Sequence, residues 1–260
     1  MVTKALAGIT TAVVLVGGGA LAYTQTQSAP EPRTDLAAPV APVSHEDVTI
    51  TCPRPANRDY PGPAFTNTRL SRFDSGVIQY GATNGAWVNV NSSVQGWPKG
   101  AAHVVVDGRH RTANVSRNRI AHVGLPRWLK PGHYAVRACY APSSDSHFER
   151  SQQSNAKVYR VVKANSFTSL NARDVSRSQR PRVGVRVSTT TGATPTGRVR
   201  VVIAIGRVGH AKTLRLREGR AVARFDRVRR TGRWDVKSVY LGSDRVRRDK
   251  KMGSFRNTRR

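Results

Sequence analysis

Pro131-Gly132-His133-Tyr134-Ala135-Val136-Arg137-Ala138-Cys139-Tyr140 and Thr231-Gly232-Arg233-Trp234-Asp235-Val236-Lys237-Ser238-Val239-Tyr240 are two versions of one strand, set one hundred residues apart. Glycine, an aromatic, valine, a basic residue, a small residue and tyrosine recur at the same spacing. An internal repeat decides architecture before any local pattern does. A second echo supports it: Gly100-Ala101-Ala102-His103-Val104-Val105-Val106-Asp107-Gly108 matches the stretch from Gly197 to Gly206, at an offset of 97. The mature chain is therefore read as two copies of one β unit, with about three residues inserted between the two matched strands of the second copy.

The residues around these strands extend the same pattern. Val183, Val185 and Val187 alternate with Arg182, Gly184 and Arg186; Val199, Val201, Ile203 and Ile205 alternate with Arg198, Arg200, Val202 and Ala204. Leu214 and Leu216 flank Arg215, and Trp234, Val236, Ser238 and Tyr240 alternate with Arg233, Asp235, Lys237 and Val239. A period of two places one face of each strand against a core and the other in water. In the first copy, strands are predicted over Val48 to Cys52, Trp87 to Asn91, His103 to Val106, Arg119 to Val123, Tyr134 to Tyr140 and Val158 to Val162. Turn signals separate them at Pro61-Gly62, Asn84-Gly85, Asp107-Gly108 and Pro131-Gly132. No stretch after residue 46 holds a helical period, so the fold class is all-β, with two tandem β-sandwiches.

The chain begins with an export signal. Lys4 supplies a positive start, Ala5 to Ala22 is free of charge, and Ala20-Leu21-Ala22 forms a small-residue cleavage site. Residues 1–22 are thus a signal helix, with the mature start near Tyr23. The same run is just long enough to cross a bilayer as an uncleaved single anchor, although Gly17-Gly18-Gly19 and the cleavage site favour removal. No cysteine follows the run, so it is not a lipoprotein signal. Residues 23–45, punctuated by Pro30, Pro32, Pro39 and Pro42, form a Pro/Ala-rich linker. The first module is placed at 46–163 and the second at 164–255, with a short joint near Val162-Lys163-Ala164-Asn165-Ser166 that leaves the modules end to end with limited freedom. Residues 256–260 are read as a basic tail.

These segments resemble the bacterial immunoglobulin-like repeat family, which occurs in tandem on exported and surface proteins. The likeness is carried in the second module by Thr194-Pro195-Thr196-Gly197-Arg198-Val199, by Gly219 to Phe225 and by Gly232 to Asp244. In the first it is carried by Pro98-Lys99-Gly100, Leu125-Pro126, Pro131-Gly132 to Tyr140, and Ser143 to Phe148. The resemblance implies immunoglobulin-like sandwiches and an exported, surface-related role, and it implies no catalytic residues. Pro53 to Gly76 has no counterpart in the family pattern.

Cys52 and Cys139 are the two cysteines. In an exported chain they are expected to pair, closing a loop that stabilises by about 4–5 kcal/mol in a chain-entropy treatment. Alternation turns Tyr134, Val136, Ala138 and Tyr140 inward and Cys139 outward. The disulfide is therefore expected on the outer side of its strand rather than between the sheets, unless a β-bulge flips the parity. Two cysteines and scattered histidines offer no metal site, and no cofactor is expected.

Catalytic motifs are missing: there is no G-x-S-x-G, H-E-x-x-H, phosphate loop or dinucleotide fingerprint. Ser144-Asp145-Ser146-His147 holds triad residue types, but sequence neighbours in a turn do not make triad geometry. The chain is read as no enzyme. Charge is the stronger lead. The formal net charge is +29, and residues 164–260 hold 26 Arg and Lys against 6 Asp and Glu. Alternation places Arg198, Arg200, Arg233 and Lys237 on the outer face of one sheet and Arg182, Arg186, Arg220 and Arg224 on the outer face of the other. Arg227, Arg229 and Arg230 crowd one loop. Such a surface suits polyanions bound by many weak, salt-sensitive contacts, with charge on all sides rather than in one groove. A solvated coat coloured by genome composition would show the same counts.

Phe225, Trp234 and Tyr240 fall on the buried parity rather than on a stacking platform, which argues against sequence-specific nucleic-acid reading. The expected function is a non-enzymatic, structural or adhesive module at the cell surface. It would be held to anionic envelope polymers, and its partners could include a surface protein. The alternatives are a secreted binder of extracellular DNA or acidic polysaccharide, or a carbohydrate-associated accessory module. Trp87, Trp97 and Trp128 are the glycan-contact candidates, and each is expected in a core or at a sandwich end.

Overall fold

The computed structural model describes Cys52 and residues 64–259. The signal segment, the linker and the strand predicted over Val48 to Cys52, apart from Cys52 itself, lie outside the described residues. Among those described there are sixteen strands. The first module holds β1 (Thr66–Phe73), β2 (Val77–Gln79), β3 (Gly85–Ser92), β4 (Gly100–Val106), β5 (Arg109–Asn114), β6 (Ile120–Gly124), β7 (Gly132–Pro142) and β8 (Lys157–Val162). The second holds β9 (Ser166–Ala172), β10 (Val175–Ser176), β11 (Arg182–Thr189), β12 (Arg198–Ile205), β13 (Val208–Arg215), β14 (Arg220–Arg224), β15 (Gly232–Tyr240) and β16 (Asp249–Thr258).

The duplication holds strand for strand. The first module has sheets β1-β3-β6 and β2-β8-β7-β4-β5; the second has β9-β11-β14 and β10-β16-β15-β12-β13. Each strand of the second is the strand eight earlier in the first. Both larger sheets end in a short strand paired parallel to the last strand of the module, β2 with β8 and β10 with β16. This two-sheet order is that of an immunoglobulin-like sandwich.

Register follows the sequence echo. Ala102 sits opposite Tyr140, and Val199 opposite Tyr240, which reproduces the offset of 97 against 100. Tyr134 faces Tyr159, and Trp234 faces Phe255. The alternating valines all point inward: Val183, Val185, Val187, Val199, Val201, Ile203 and Val236 are buried, as are Phe225, Trp234 and Tyr240. The two tyrosines that close the repeated strand use their hydroxyls alike. Tyr140 Oη donates to Lys99 O and Tyr240 Oη to Thr196 O, both at 2.6 Å. The residue after each carbonyl is a glycine because the neighbouring strand end passes close by. A Cβ at Gly197 (φ +107°) would lie 2.8 Å from Gly242 O, and one at Gly100 2.3 Å from Ala141 O.

The disulfide is formed as expected, between Cys52 and Cys139, 87 residues apart. Cys139 has outward parity, yet that face is not wet. Cys52, Val105, Cys139 and Ala141 form a small buried cluster separate from the main core. Cys52 therefore packs on the outer side of β4 and β7. Beside it, β8 starts late, and two serines take over the edge of β7. Ser154 Oγ accepts from Ala138 N at 3.0 Å and Ser151 Oγ from Tyr140 N at 2.9 Å.

Several strands escaped the sequence reading for lack of alternation. β5 and β13 are edge strands exposed along most of their length. β1, which lies inside the unplaced stretch from Pro53 to Gly76, buries only Thr68 and Leu70. The basic run from Arg245 to Lys251 enters β16, an interior strand of its sheet. β16 continues to Thr258, so Arg256 and Asn257 belong to the second sandwich rather than to a tail beginning at 256.

The modules are joined by Lys163-Ala164-Asn165 alone. Ala164 is fully buried and bridges to Val246. Gln79 Oε1 accepts from Asn165 N at 3.1 Å and from Thr190 Oγ1 at 2.7 Å, while Thr191 Oγ1 donates to Tyr80 O at 2.7 Å. Arg245 lies over the Tyr80 ring and donates to its hydroxyl. One buried apolar cluster runs through both sandwiches.

Ser238 Oγ is fully buried without a hydrogen-bond partner, at the position Ala138 fills in the first module. Ser238→Ala is expected to stabilise the protein by about 1 kcal/mol, since an unpaired buried hydroxyl is costly; the urea midpoint reads this. Replacing both cysteines with alanine is expected to cost the first module about 2–4 kcal/mol. Amide exchange should quicken along β7 and stay unchanged along β15.

Candidate polyanion-binding surface

Strand parity and register together place the basic side chains. β11 sends its valines inward and Arg182 and Arg186 outward. β14 lies antiparallel beside it, with Arg224 directly opposite Arg182 and Arg220 directly opposite Arg186. On the other sheet Arg198 sits opposite Arg215, and Arg233 opposite Arg256. Arg200 and Lys237 share that outer face. Both expected groupings of arginine therefore exist. The register adds what spacing could not show, which is four arginine pairs in direct cross-strand opposition. Like charges so placed destabilise a sheet.

The acids do little to relieve them. Among the described residues, the second module's ion pairs are Arg233 with Asp235 at 4.0 Å and Arg245 with Asp244 at 3.5 Å, all on exposed side chains. Asp174 Oδ1 instead accepts from Arg256 N at 2.7 Å, and Asp249 Oδ2 from Thr168 N at 2.6 Å. These two carboxylates accept from backbone amides.

The loop between β14 and β15 gathers charge on a fixed backbone. Val228 is buried as a plug, while Arg227, Arg229 and Arg230 are exposed. Asn257 Nδ2 donates to Val228 O at 2.9 Å and to Arg230 O at 2.8 Å, and Trp234 Nε1 donates to Arg230 O at 3.1 Å. Asn257, read as tail in the sequence, is thus the residue that shapes this loop. Tyr134 makes the matching bond in the first module, to Lys130 O at 2.6 Å.

Strand direction then sets where this loop lies. β9 leaves the joint at Ser166 and ends at Ala172, opposite Val183 near the start of β11. The ends of β9, β14 and β16, the starts of β11 and β15, and the turn from β12 to β13 all fall at the end remote from the first module. Arg173, Arg180, Arg207, Arg227, Arg229 and Arg230 converge there, with Asp174 and Asp226 among them. Both sheet faces are basic, and the arginines gathered at the distal end add a positive pole.

The first module's candidates are arranged otherwise. Trp87 is not in a core or at an end. It lies on the outer face of β3 against His122, under Arg72, with Nε1 donating to Asp74 Oδ1 at 2.6 Å. The hydrogen bond from His122, at 2.9 Å, is the leading cause holding the Asp74 carboxyl below its usual range. Trp97 and Trp128 are sandwich-end residues. Lys99 and Arg117 approach the Trp97 ring, and Arg127 and Tyr80 flank Trp128. In the turn after β7, Asp145 accepts from Ser143 Oγ at 2.6 Å and from Lys99 Nζ at 3.3 Å, and Ser146 Oγ lies 3.4 Å from Tyr140 Oη. These contacts secure the turn. Among the described residues no group of three His, Cys, Asp or Glu could hold a metal, and no helix is long and apolar enough to cross a membrane.

No protein-family model matches the chain, and no curated protein matches it in sequence. Solved structures superpose loosely. A two-domain fibronectin type III segment of chicken tenascin is 10% identical, with 74% of this chain and 99% of that one covered at a TM-score of 0.38. The structure of a 1.5-MDa bacterial ice-binding adhesin is 13% identical over 76% of this chain and 65% of that one, at 0.31. A calcium-stabilised adhesin of an Antarctic bacterium is 12% identical over 76% and 49%, at 0.32. The chain spans less than two thirds of both adhesin structures, and the fold assignment rests on strand order and register.

Removing one member of an opposed pair should relieve the sheet. Arg224→Thr is expected to raise stability by about 0.2–1 kcal/mol at low ionic strength. The gain should shrink as salt screens the pair. Thermal midpoints of the two proteins across a salt series check both statements.

Proposed function

We propose that this protein is an exported, non-enzymatic pair of immunoglobulin-like modules at the cell surface, held to anionic envelope polymers by its second module. The observation that supports this best is the set of opposed arginines: Arg182 with Arg224, Arg186 with Arg220, Arg198 with Arg215 and Arg233 with Arg256. Genome composition governs how many arginines a chain carries. It does not set which strands bring those arginines opposite one another. A polymer of fixed negative charge relieves this repulsion in binding, and its affinity falls steeply with salt because counterions are released.

The surface suits a linear polyanion lying across strands more than a sugar ring on an aromatic platform. Trp97 and Trp128 are partly exposed, but each has cations over its ring in place of an open face. The first module is tied to the second by the buried joint at Ala164.

Stepwise salt washing of native cells tests the reading. The expected result is retention at low salt and release as salt rises, without detergent. Recovery in the medium at low salt would overturn electrostatic retention. Release by detergent alone would assign retention to the N-terminal helix instead.

A further inference from the structure

Gly184 is the one residue on the outer face of β11 between Arg182 and Arg186, and nothing in the backbone requires a glycine there. Its φ lies outside the left-handed region. A Cβ would meet only Asn171 O at 3.6 Å and Asn171 Cβ at 3.7 Å, which is ordinary contact. Glycine inside a strand weakens it, and it often marks a place where a ligand approaches closely. Here Gly184 lies on the floor of a cleft of about 740 Å³ at the positive pole. Asn171 and Gly184, directly paired across β9 and β11, form its neutral floor. Arg173 from the end of β9, Arg180 from the turn before β11, and Arg182 from β11 stand around it. Asp174 also lines it, with Oδ1 held by Arg256 N. Gln179 lines it too, with Oε1 held by Ser176 N at 3.1 Å.

We propose that this cleft seats one phosphate group of a polyanion, so that the second module holds phosphate polymers at a defined point as well as by its general charge. The inference rests on the polyanion reading above. Three guanidinium groups, one from the end of β9 and two from the stretch that opens β11, can surround one tetrahedral oxyanion, and planar guanidinium forks match phosphate oxygens in bidentate geometry. The Asn171 amide adds a neutral donor. Arg224, opposite Arg182, extends the field to the next phosphate along the chain.

The test uses the full chain and linear polyphosphate as probe, with polyglutamate as a carboxylate control, at fixed salt. Gly184→Leu sets an apolar side chain on the floor of the cleft, between the arginines, without changing charge. It is expected to weaken polyphosphate binding about tenfold and to lower the salt slope by about one phosphate contact. Gly184→Ala should bind nearly as the parent does, and polyglutamate should bind weakly and equally to all three. Should Gly184→Leu lower the thermal midpoint, Asn171→Leu sets an apolar side chain on the same floor from β9 and gives the same readout.

A triple variant, R198Q/R200Q/R215Q, removes three charges from the other sheet and separates the outcomes. If the leucine variants bind as the parent does while the triple variant binds poorly, the cleft has no role and the diffuse polyanion reading stands. If polyglutamate is as sensitive to Gly184→Leu as polyphosphate, the phosphate assignment falls. If the parent protein binds neither polymer, the polyanion reading falls with it.

Discussion

Two buried tyrosine hydroxyls, each donating to the carbonyl before a glycine, fix the arrangement on which the rest of the structure depends. A phenol sealed in a core must find an acceptor. Tyr140 finds Lys99 O and Tyr240 finds Thr196 O. Each bond ties the end of the repeated strand to the entry of its partner, at Gly100 or Gly197, where a side chain would collide with the passing backbone. With that corner set, β4 can pair with β7, and β12 with β15, in one register. A slip of one residue would turn every valine outward and every arginine inward.

The charged surface is a consequence of that register. Arg198, Arg200 and Lys237 face water because Val199, Val201 and Val236 fill the core. The opposed arginine pairs add a cost that the fold tolerates: such pairs act at the level of tenths of a kcal/mol to about one each, and the buried aromatic and valine core outweighs them. What they leave is a surface with more positive charge than its own acids can answer. The pinned loop around Val228 and the cleft at Gly184 give that surface a direction, toward the end farthest from the joint.

The two copies diverged where the core does not constrain them. Trp234 and Tyr134 use their polar atoms alike, each on the carbonyl four residues earlier. The outer face of the repeated strand was put to different uses. In the first module Cys139, Val105 and Ala141 are clustered with Cys52. In the second the same face stayed open and carries Arg233, Lys237 and, from the neighbouring strand, Arg200. The joint shows a similar economy, since Gln79 and Tyr80, on or beside the short strand β2, also receive the second module's loops.

The all-β class, the duplication, the inward valines, the outward parity of Cys139 and the sharing of faces by Arg182, Arg186, Arg220 and Arg224 were legible in the sequence, because a period of two is imposed by strand geometry alone. Edge strands were legible only in part: β6 alternates and was read, while β5 and the middle of β13 are solvated, so nothing selects an alternating pattern there. β16 was hidden by Asp249, Lys250 and Lys251, which face water on an interior strand. Tertiary structure alone decided which arginine opposes which, since that depends on pairing between strands distant in sequence. It also made Asn257 the clamp of the basic loop, seated Trp87 on an outer face, and turned Gly184 from a break in a valine pattern into the floor of a cleft. Each of these depends on what another segment brings alongside, and a residue's own neighbours in the chain carry no record of that.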